Sequence, residues 1–342
     1  MRVGMYYNNH QVCVEEMPVP RIGDGEILVK VIASGICGSD VLEWYRIKKA
    51  PRVLGHEIAA DIVEVGKEVK DYKVGDRVFV AHHIPCNSCR YCLKGYHTAC
   101  ETLHTTNFDP GGFAEYLRVP KLNVDHCAVF VLPDEMTYDE GTFIEPLGCV
   151  LRGLRVSQFK PGDSVLVLGS GISGLLQIAA ARALGAGRII ATDLNEFRLT
   201  IAKEMGADTV IHASQPVVEE VIKANGNRGV DLAIVCTGAL SAFNQALKAV
   251  DRGGVVLCFA TTDPDVNLSV PINDFWRDEI KLMPSYGCAP TDALTAIQLI
   301  GTKRLPLEKM ITHRLPMKDI GTGFKLVSDA KESIKVIIEP NK

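Results

Sequence analysis

No apolar run in the 342-residue chain reaches the length needed to cross a bilayer, and no basic excess is present to hold a nucleic acid. The formal net charge of -4 argues the same way against an anionic membrane surface as the main partner. Internal repeats and low-complexity tracts are absent as well, so neither a solenoid nor a disordered tail is called for. The chain opens Met-Arg-Val-Gly without an apolar leader, which sets the expectation of a reducing, cytoplasmic setting. Disulfide-like pairing is missing too. Of 11 cysteines, those at 13, 37, 127, 149, 236, 258 and 288 are scattered, and apart from Cys37 most of them read as small buried hydrophobes. What is present is ordinary for a globular protein, 47% hydrophobic and 23% charged, and long enough for two domains with separate cores.

The other four cysteines stand together at Cys86, Cys89, Cys92 and Cys100. Structural zinc takes four ligands in a tetrahedron, and short steps between three thiols followed by a longer closing step suit it. Such a filled shell leaves no room for water or substrate, so this ion would be a folding staple. Paired disulfides would need an oxidising compartment. An iron–sulfur cluster of the bacterial type would end in Cys-Pro, which this run lacks. A zinc ribbon acting only as an interaction knob is the non-catalytic alternative.

The first thirty residues alternate apolar and polar between turn residues, and Glu26 to Ile32 reads as a strand. Cys37-Gly-Ser-Asp40 follows, then a polar, basic stretch to Pro51, then Gly55-His56-Glu57. By itself a Cys and a His at this distance is a weak metal signal. Strands at Ala60–Val65 and Val78–Val80 predict a small barrel-like β domain. From Asp139 to Arg155 the period becomes helical, with Glu145-Pro146-Leu147 inside it, and the first domain boundary is placed near residue 150.

Beyond Asp163 the pattern changes again. Ser164–Leu168 is a fully apolar strand, Gly169-Ser170-Gly171-Ile172-Ser173-Gly174 opens a helix, and a second apolar strand ends at Asp193. That is a βαβ unit whose glycines permit a tight turn, close approach of a pyrophosphate and close packing of helix on strand. The helix N-terminus supplies N–H groups for the phosphates. Asp193 is placed to accept from both ribose hydroxyls and to repel a 2′-phosphate, favouring NAD over NADP. Arg198 could reach a 2′-phosphate, but beside Asp193 it is expected against adenine or ribose, or in solvent. Further alternating strands and helices predict a doubly wound parallel sheet over residues 151–289, with Thr237, Phe259 and Thr261 at strand ends facing the coenzyme. The tail, 290–342, is expected to return to the first domain, 1–150.

In this order Cys37-Gly-Ser-Asp40, Gly55-His-Glu57, Gly75-Asp-Arg-Val78, the four-cysteine lobe, Gly112-Phe-Ala-Glu115, Glu145-Pro-Leu147 and the glycine fingerprint resemble the zinc-dependent medium-chain dehydrogenases, closest to their polyol and threonine dehydrogenase branch. The resemblance covers essentially the whole chain. It implies an α/β protein with a GroES-like β-barrel catalytic domain and a Rossmann domain, two zinc ions per chain, and a homo-oligomer, dimeric or tetrameric. It makes Cys37 and His56 ligands of a second, catalytic zinc, with Glu145 where the alcohol dehydrogenases place another cysteine and Glu57 as the alternate ligand. It also makes Ser39 the first member of a proton relay; a turn-stabilising hydrogen bond is the plainer reading of that hydroxyl.

Departures bear on the substrate. Leu42 stands where the polyol and threonine enzymes carry His, Glu43 where the polyol enzymes carry an aromatic residue, and the segment from Cys37 to His56 is shorter. Glu43, Arg152 and Tyr286 are the candidate substrate residues, each with a solvent or packing role as its alternative. His82, His83, His97 and His104, near the cysteine lobe, are expected as surface or local hydrogen-bonding residues. The expected function is hydride transfer from a secondary alcohol of a polyol, cyclitol or sugar-like substrate to NAD. An amino-alcohol dehydrogenase of the threonine type and a non-catalytic dinucleotide-binding zinc-ribbon protein are the alternatives.

Overall fold

A computed structural model describes residues 1–342, which divide into two compact units. One comprises Met1–Gly148, Cys288–Lys303 and Ile311–Lys342; the other comprises Cys149–Gly287 and Arg304–Met310.

The first unit contains β1 (Arg2–Asn8), β2 (Gln11–Glu16), β3 (Ile27–Gly35), β4 (Arg52–Val53), β5 (Glu57–Val65), β6 (Arg77–Val80), β7 (Tyr116–Val119) and β8 (Val129–Val131), and later β15 (Ile311–Pro316) and β16 (Lys335–Glu339). β2, β1 and β4 form a three-stranded antiparallel sheet. The main sheet runs β15-β16-β3-β5-β6-β8 with β7 also on β3. Alternate residues of β3 and β5, among them Ile27, Val29, Val31, Ile58, Ala60 and Ile62, meet Val78, Val80 and Leu117 in one buried cluster, as the two-residue period of a strand requires.

Three strand ends converge at Gly35. In the β3–β5 register Gly35 lies opposite Glu57, and in the β16–β3 register it lies opposite Ile337. Cys37, two residues past the end of β3, His56, immediately before β5, and Lys335, at the start of β16, are thereby gathered at one end of the sheet. A Cβ on Gly35 would collide with the Lys335 Nζ and a Glu57 carboxylate oxygen.

The second unit contains β9 (Ser164–Leu168), β10 (Arg188–Asp193), β11 (Thr209–His212), β12 (Val230–Val235), β13 (Val250–Cys258) and β14 (Lys281–Pro284), all parallel in the order β11-β10-β9-β12-β13-β14. Counted from its own first strand that order is 3-2-1-4-5-6, the doubly wound arrangement in which a dinucleotide lies at the reversal of strand order. β9 is buried throughout, as its apolar sequence demands. Its core joins Leu166, Leu168, Ile190, Val235 and Val256 to Phe243 and Ala246 of the helix Leu240–Ala249.

Two elements of this unit escape sequence reading. β14 has only four residues, exposed for most of its length and ending in proline, so it carries no hydrophobic pattern. The helix Ile272–Asp278 buries no residue and leaves Trp276 80% exposed. Pro146 occupies the third position of the helix Ile144–Val156, within the first turn, where its missing N–H breaks no intrahelical bond.

The third glycine of the fingerprint is a packing requirement. A Cβ on Gly174 would collide with the Gly169 carbonyl oxygen. Gly174→Ala should therefore destabilise the protein by about 1–3 kcal/mol, read as a lowered urea midpoint at unchanged m-value. An unchanged midpoint would show that the turn relaxes freely.

Candidate metal and coenzyme sites

Cys37 caps a short 3₁₀ turn, Gly38–Val41. Its sulfur accepts from the Ser39 N–H at 3.4 Å, while its own N–H donates to the Asp40 carboxylate at 3.1 Å. This reciprocal cap explains the Cys-Gly-Ser-Asp spacing: the turn aims the thiol and buries Asp40 completely. Asp40 Oδ1 in turn faces His56 Nδ1 at 3.5 Å. Its partner leaves His56 Nε2 as the nitrogen open to a metal, a carboxylate–imidazole arrangement that fixes the ring.

Cys37, His56 and Glu57 bring one donor atom each within 4.8 Å of one another. Thiolate, imidazole and carboxylate are the donor types of zinc, and three protein ligands leave a fourth position open. Glu57 is buried against Lys335, which ion-pairs with its Oε2, donates to the Thr142 carbonyl at 3.1 Å and lies 4.9 Å from the centre of the Phe143 ring. Glu145 stands half-buried in the first turn of the helix Ile144–Val156, in the same unit.

The electrostatics follow from burial. Burial and the Glu57 carboxylate push the Cys37 thiol up. Burial opposes the charge on Asp40, but His56, Arg46 and the Cys37 N–H outweigh it and hold the carboxyl below its usual range. Burial also opposes a charged His56, yet Asp40 and Cys37 hold its imidazolium well above the ordinary value. A metal must expel that proton to bind. Ser39 Oγ accepts from an Arg46 terminal nitrogen at 2.9 Å, so its own hydrogen is free to be donated elsewhere.

One histidine departs from expectation. His82 is not a surface residue of the cysteine lobe: its ring lies 4.8 Å from that of His56 and 4.0 Å from that of His83. Burial, then His83 and His56, push its pKa well down, and its buried Nδ1 has no hydrogen-bond partner. His83 is instead tied to the Thr106 carbonyl at 2.8 Å. His97 also has a buried, unpartnered Nδ1, whereas His104 is exposed.

Cys86, Cys89, Cys92 and Cys100 also gather within 4.8 Å, none in a disulfide. The Cys89 and Cys92 sulfurs are 3.6 Å apart, far beyond a bond and close to the roughly 3.8 Å edge of a tetrahedron with Zn–S of about 2.3 Å. Backbone N–H groups of Cys89 and Cys86 point at the sulfurs of Cys86 and Cys100, both at 3.3 Å. Donors from Ser88 and Cys89 pull the Cys86 thiol down to about 5, while burial and Cys89 push Cys92 up to about 12.

In the second unit, Gly171 caps the helix Ile172–Ala183, which begins with Ile172, Ser173 and Gly174. Asp193 ends β10, and its carboxylate accepts from the Ser170 N–H at 2.7 Å and the Asn195 N–H at 2.9 Å, so it is oriented beside the glycine turn. Arg198 Nη1 would lie 3.8 Å from a Cβ on Gly171, and its Nε is buried without a partner. Thr237 packs against Gly169, and the Thr261 carbonyl against Gly238. Phe259 follows β13 and lies beside Gly153.

The candidate substrate residues are divided between the two units. Glu43 accepts from the Asn9 N–H at 3.0 Å, closing the β1–β2 turn. Arg152 is buried in the second unit, and Tyr286 is 52% exposed near that unit's end. Lys335 escaped sequence reading; its signal was a lone cation within the apolar run Ile334–Ile338.

Two family models match the chain: "Alcohol dehydrogenase GroES-like domain" over residues 23–129 and "Zinc-binding dehydrogenase" over residues 173–302. A sorbitol dehydrogenase of Bacillus subtilis is 33% identical, aligned over 100% of this chain and 98% of its own. An L-threonine 3-dehydrogenase of Bacillus velezensis is 33% identical over 96% of this chain and 95% of its own. The solved alcohol dehydrogenase of Thermus sp. ATN1 superposes with a TM-score of 0.89 at 31% identity, covering 99% of each chain.

Two predictions follow from these geometries. Metal analysis of the purified protein should give two zinc ions per chain; Cys37→Ser should lose one with little change in Tm, and Cys100→Ser should lose the other with a clear drop. Lys335→Met should cost about 3–5 kcal/mol by leaving Glu57 buried and unpaired. Adding Glu57→Gln should recover much of that loss in a double-mutant cycle, and simple additivity would show that the pair is not coupled.

Proposed function

Because the chain belongs to the zinc-dependent medium-chain alcohol dehydrogenases, we propose that it oxidises a secondary alcohol of a polyol, cyclitol or sugar-like molecule, with NAD⁺ as hydride acceptor. The reaction is reversible, the ketone being reduced in the other direction. The observation that carries this reading is the Cys37–His56–Glu57 cluster, with donors within 4.8 Å and a buried Asp40 behind the imidazole.

The residues fit zinc by donor type and number, with Cys37, His56 and Glu57 or Glu145 as its ligands. A zinc ion in that position supplies Lewis acidity that lowers the pKa of a substrate hydroxyl, and the nicotinamide coenzyme supplies the hydride acceptor. Everything else falls to the protein. Asp40 fixes the His56 ring and its tautomer. Lys335 holds one oxygen of the buried Glu57 carboxylate and so fixes its position. Ser39 takes the hydroxyl proton and passes it on, a role open to a group that donates and accepts at once; Arg46 orients its oxygen.

In the second unit the N–H groups at the start of the helix Ile172–Ala183 receive the pyrophosphate. Gly169 makes the tight turn, Gly171 keeps a side chain out of the pyrophosphate's way, Gly174 lets the helix pack closely on that turn, and Thr237, Phe259 and Thr261 border the coenzyme. Asp193 accepts from the ribose hydroxyls, and Arg198 packs against ribose or adenine. Preference for NAD rests on the Asp193 carboxylate, already aligned by two backbone N–H groups and repelling to a 2′-phosphate.

A hydroxyl-rich substrate suits a site of carboxylate and imidazole better than a long apolar alcohol would. The amino-alcohol reading rested on Glu43, whose carboxylate is engaged by the Asn9 N–H.

NADH absorbance measured across polyols, cyclitols and L-threonine tests the proposal. A polyol or cyclitol should be oxidised best, and Cys37→Ser should lower kcat at least a thousandfold; full turnover in that variant would remove the metal from the chemistry. Asp193→Ala should shift the NADP/NAD ratio of kcat/KM at least tenfold toward NADP. An unmoved ratio would mean that coenzyme choice resides elsewhere.

A further inference from the structure

Of the basic stretch between Cys37 and His56, only Arg46 has a part in the reaction as derived above, through Ser39. From Arg46 to Arg52 four of seven residues are cationic and none is acidic, in a chain whose formal net charge is -4. Arg46 reaches the metal site: its Nε donates to the Ser39 carbonyl at 2.9 Å, and its Nη2 to Ser39 Oγ at 2.9 Å and Asp40 Oδ1 at 3.4 Å. Its Nη1 has no partner.

Arg52 is bound by nothing. It is only partly exposed, and its guanidinium makes neither a hydrogen bond nor an ion pair. The β1–β4 register sets it opposite Tyr6, and the Tyr6 hydroxyl feels the charges of Glu43, Arg46 and Asp40. Burial, then the charge of Arg46, push the Arg52 pKa down against the smaller opposing effects of Tyr45 and Asp40, so the two guanidinium groups lie within each other's field. Two cations of like sign repel. A dianion between them would relieve that repulsion, and the planar guanidinium matches phosphate oxygens in a bidentate fork.

We propose that Arg52 and the free Nη1 of Arg46 form an anion subsite beside Ser39 that receives the phosphate monoester of a phosphorylated polyol substrate. This deepens the alcohol-oxidation reading and rests on it. The exposed Lys48 and Lys49 extend the positive field outward and draw such a substrate in. The same chemistry could serve the diphosphate of the coenzyme, so the test separates the two.

The zinc-loaded protein is assayed with pairs of a neutral polyol and its monophosphate, drawn from a hexitol, a pentitol and an inositol, using wild type, Arg52→Gln and Arg52→Lys. In the pair it oxidises best, wild type should favour the ester at least tenfold in kcat/KM, mainly through KM. Arg52→Gln should lower the ester-to-parent ratio at least tenfold, and Arg52→Lys should restore part of it. Equal use of ester and parent in every pair would overturn the subsite while leaving alcohol oxidation intact. So would an Arg52→Gln variant that raises KM for NAD⁺ and leaves the ratio alone, since the arginine would then belong to the coenzyme. If no polyol is oxidised, the alcohol reading itself fails, and calorimetric titration with inorganic phosphate decides the subsite. Binding weakened at least tenfold by Arg52→Gln supports it, and absence of binding in wild type overturns it.

Discussion

Charge taken out of water has to be answered by charge, and the first unit is arranged around that constraint. Cys37, Asp40 and Glu57 crowd the end of one sheet, with Asp40 and Glu57 almost wholly buried. Each anion has a cation or a donor against it: His56, Arg46 and the Cys37 N–H for Asp40, and Lys335 for Glu57. Unanswered, a charge buried so far would be strongly disfavoured. The pocket is therefore a small ionic lattice with a place for one divalent ion.

Strand register builds this lattice. Because Gly35 lies opposite both Glu57 and Ile337, ligands far apart in sequence reach one sheet end, and the cation that holds Glu57 arrives from the last strand of the chain. A one-residue slip in β16 would turn Lys335 to the other face of the sheet and leave Glu57 without its partner. The cysteine lobe poses a different problem: its buried core is only Cys92, Cys100 and Leu103, and a metal held by its four thiols would compensate for so small a core.

The second unit divides the labour. Its apolar parallel strands require only hydrophobic burial, and the site arises at strand ends, where glycine turns expose backbone N–H groups beside Asp193. Local chemistry suffices there. At the Cys37 cluster it does not, since His56 depends on Asp40 and Glu57 on Lys335, each from another strand or turn.

Legibility in the sequence divides along the same line. The glycine fingerprint, Asp193 and the four cysteines are local patterns whose spacing carries its own geometry, and they were readable before any fold was known. Cys37, His56 and Glu57 were readable only as members of an ordered set of motifs. Lys335, the packing of His82 on His56 and the unpaired guanidinium of Arg52 were not readable at all, and neither was β14, which is short, exposed and closed by proline. By itself the sequence determined the hydrophobic periods, the turns and the residue types able to bind metal and phosphate, because these act over a few residues. The tertiary structure alone decided which charges face which, because burial and pairing are properties of neighbours brought together from distant parts of the chain.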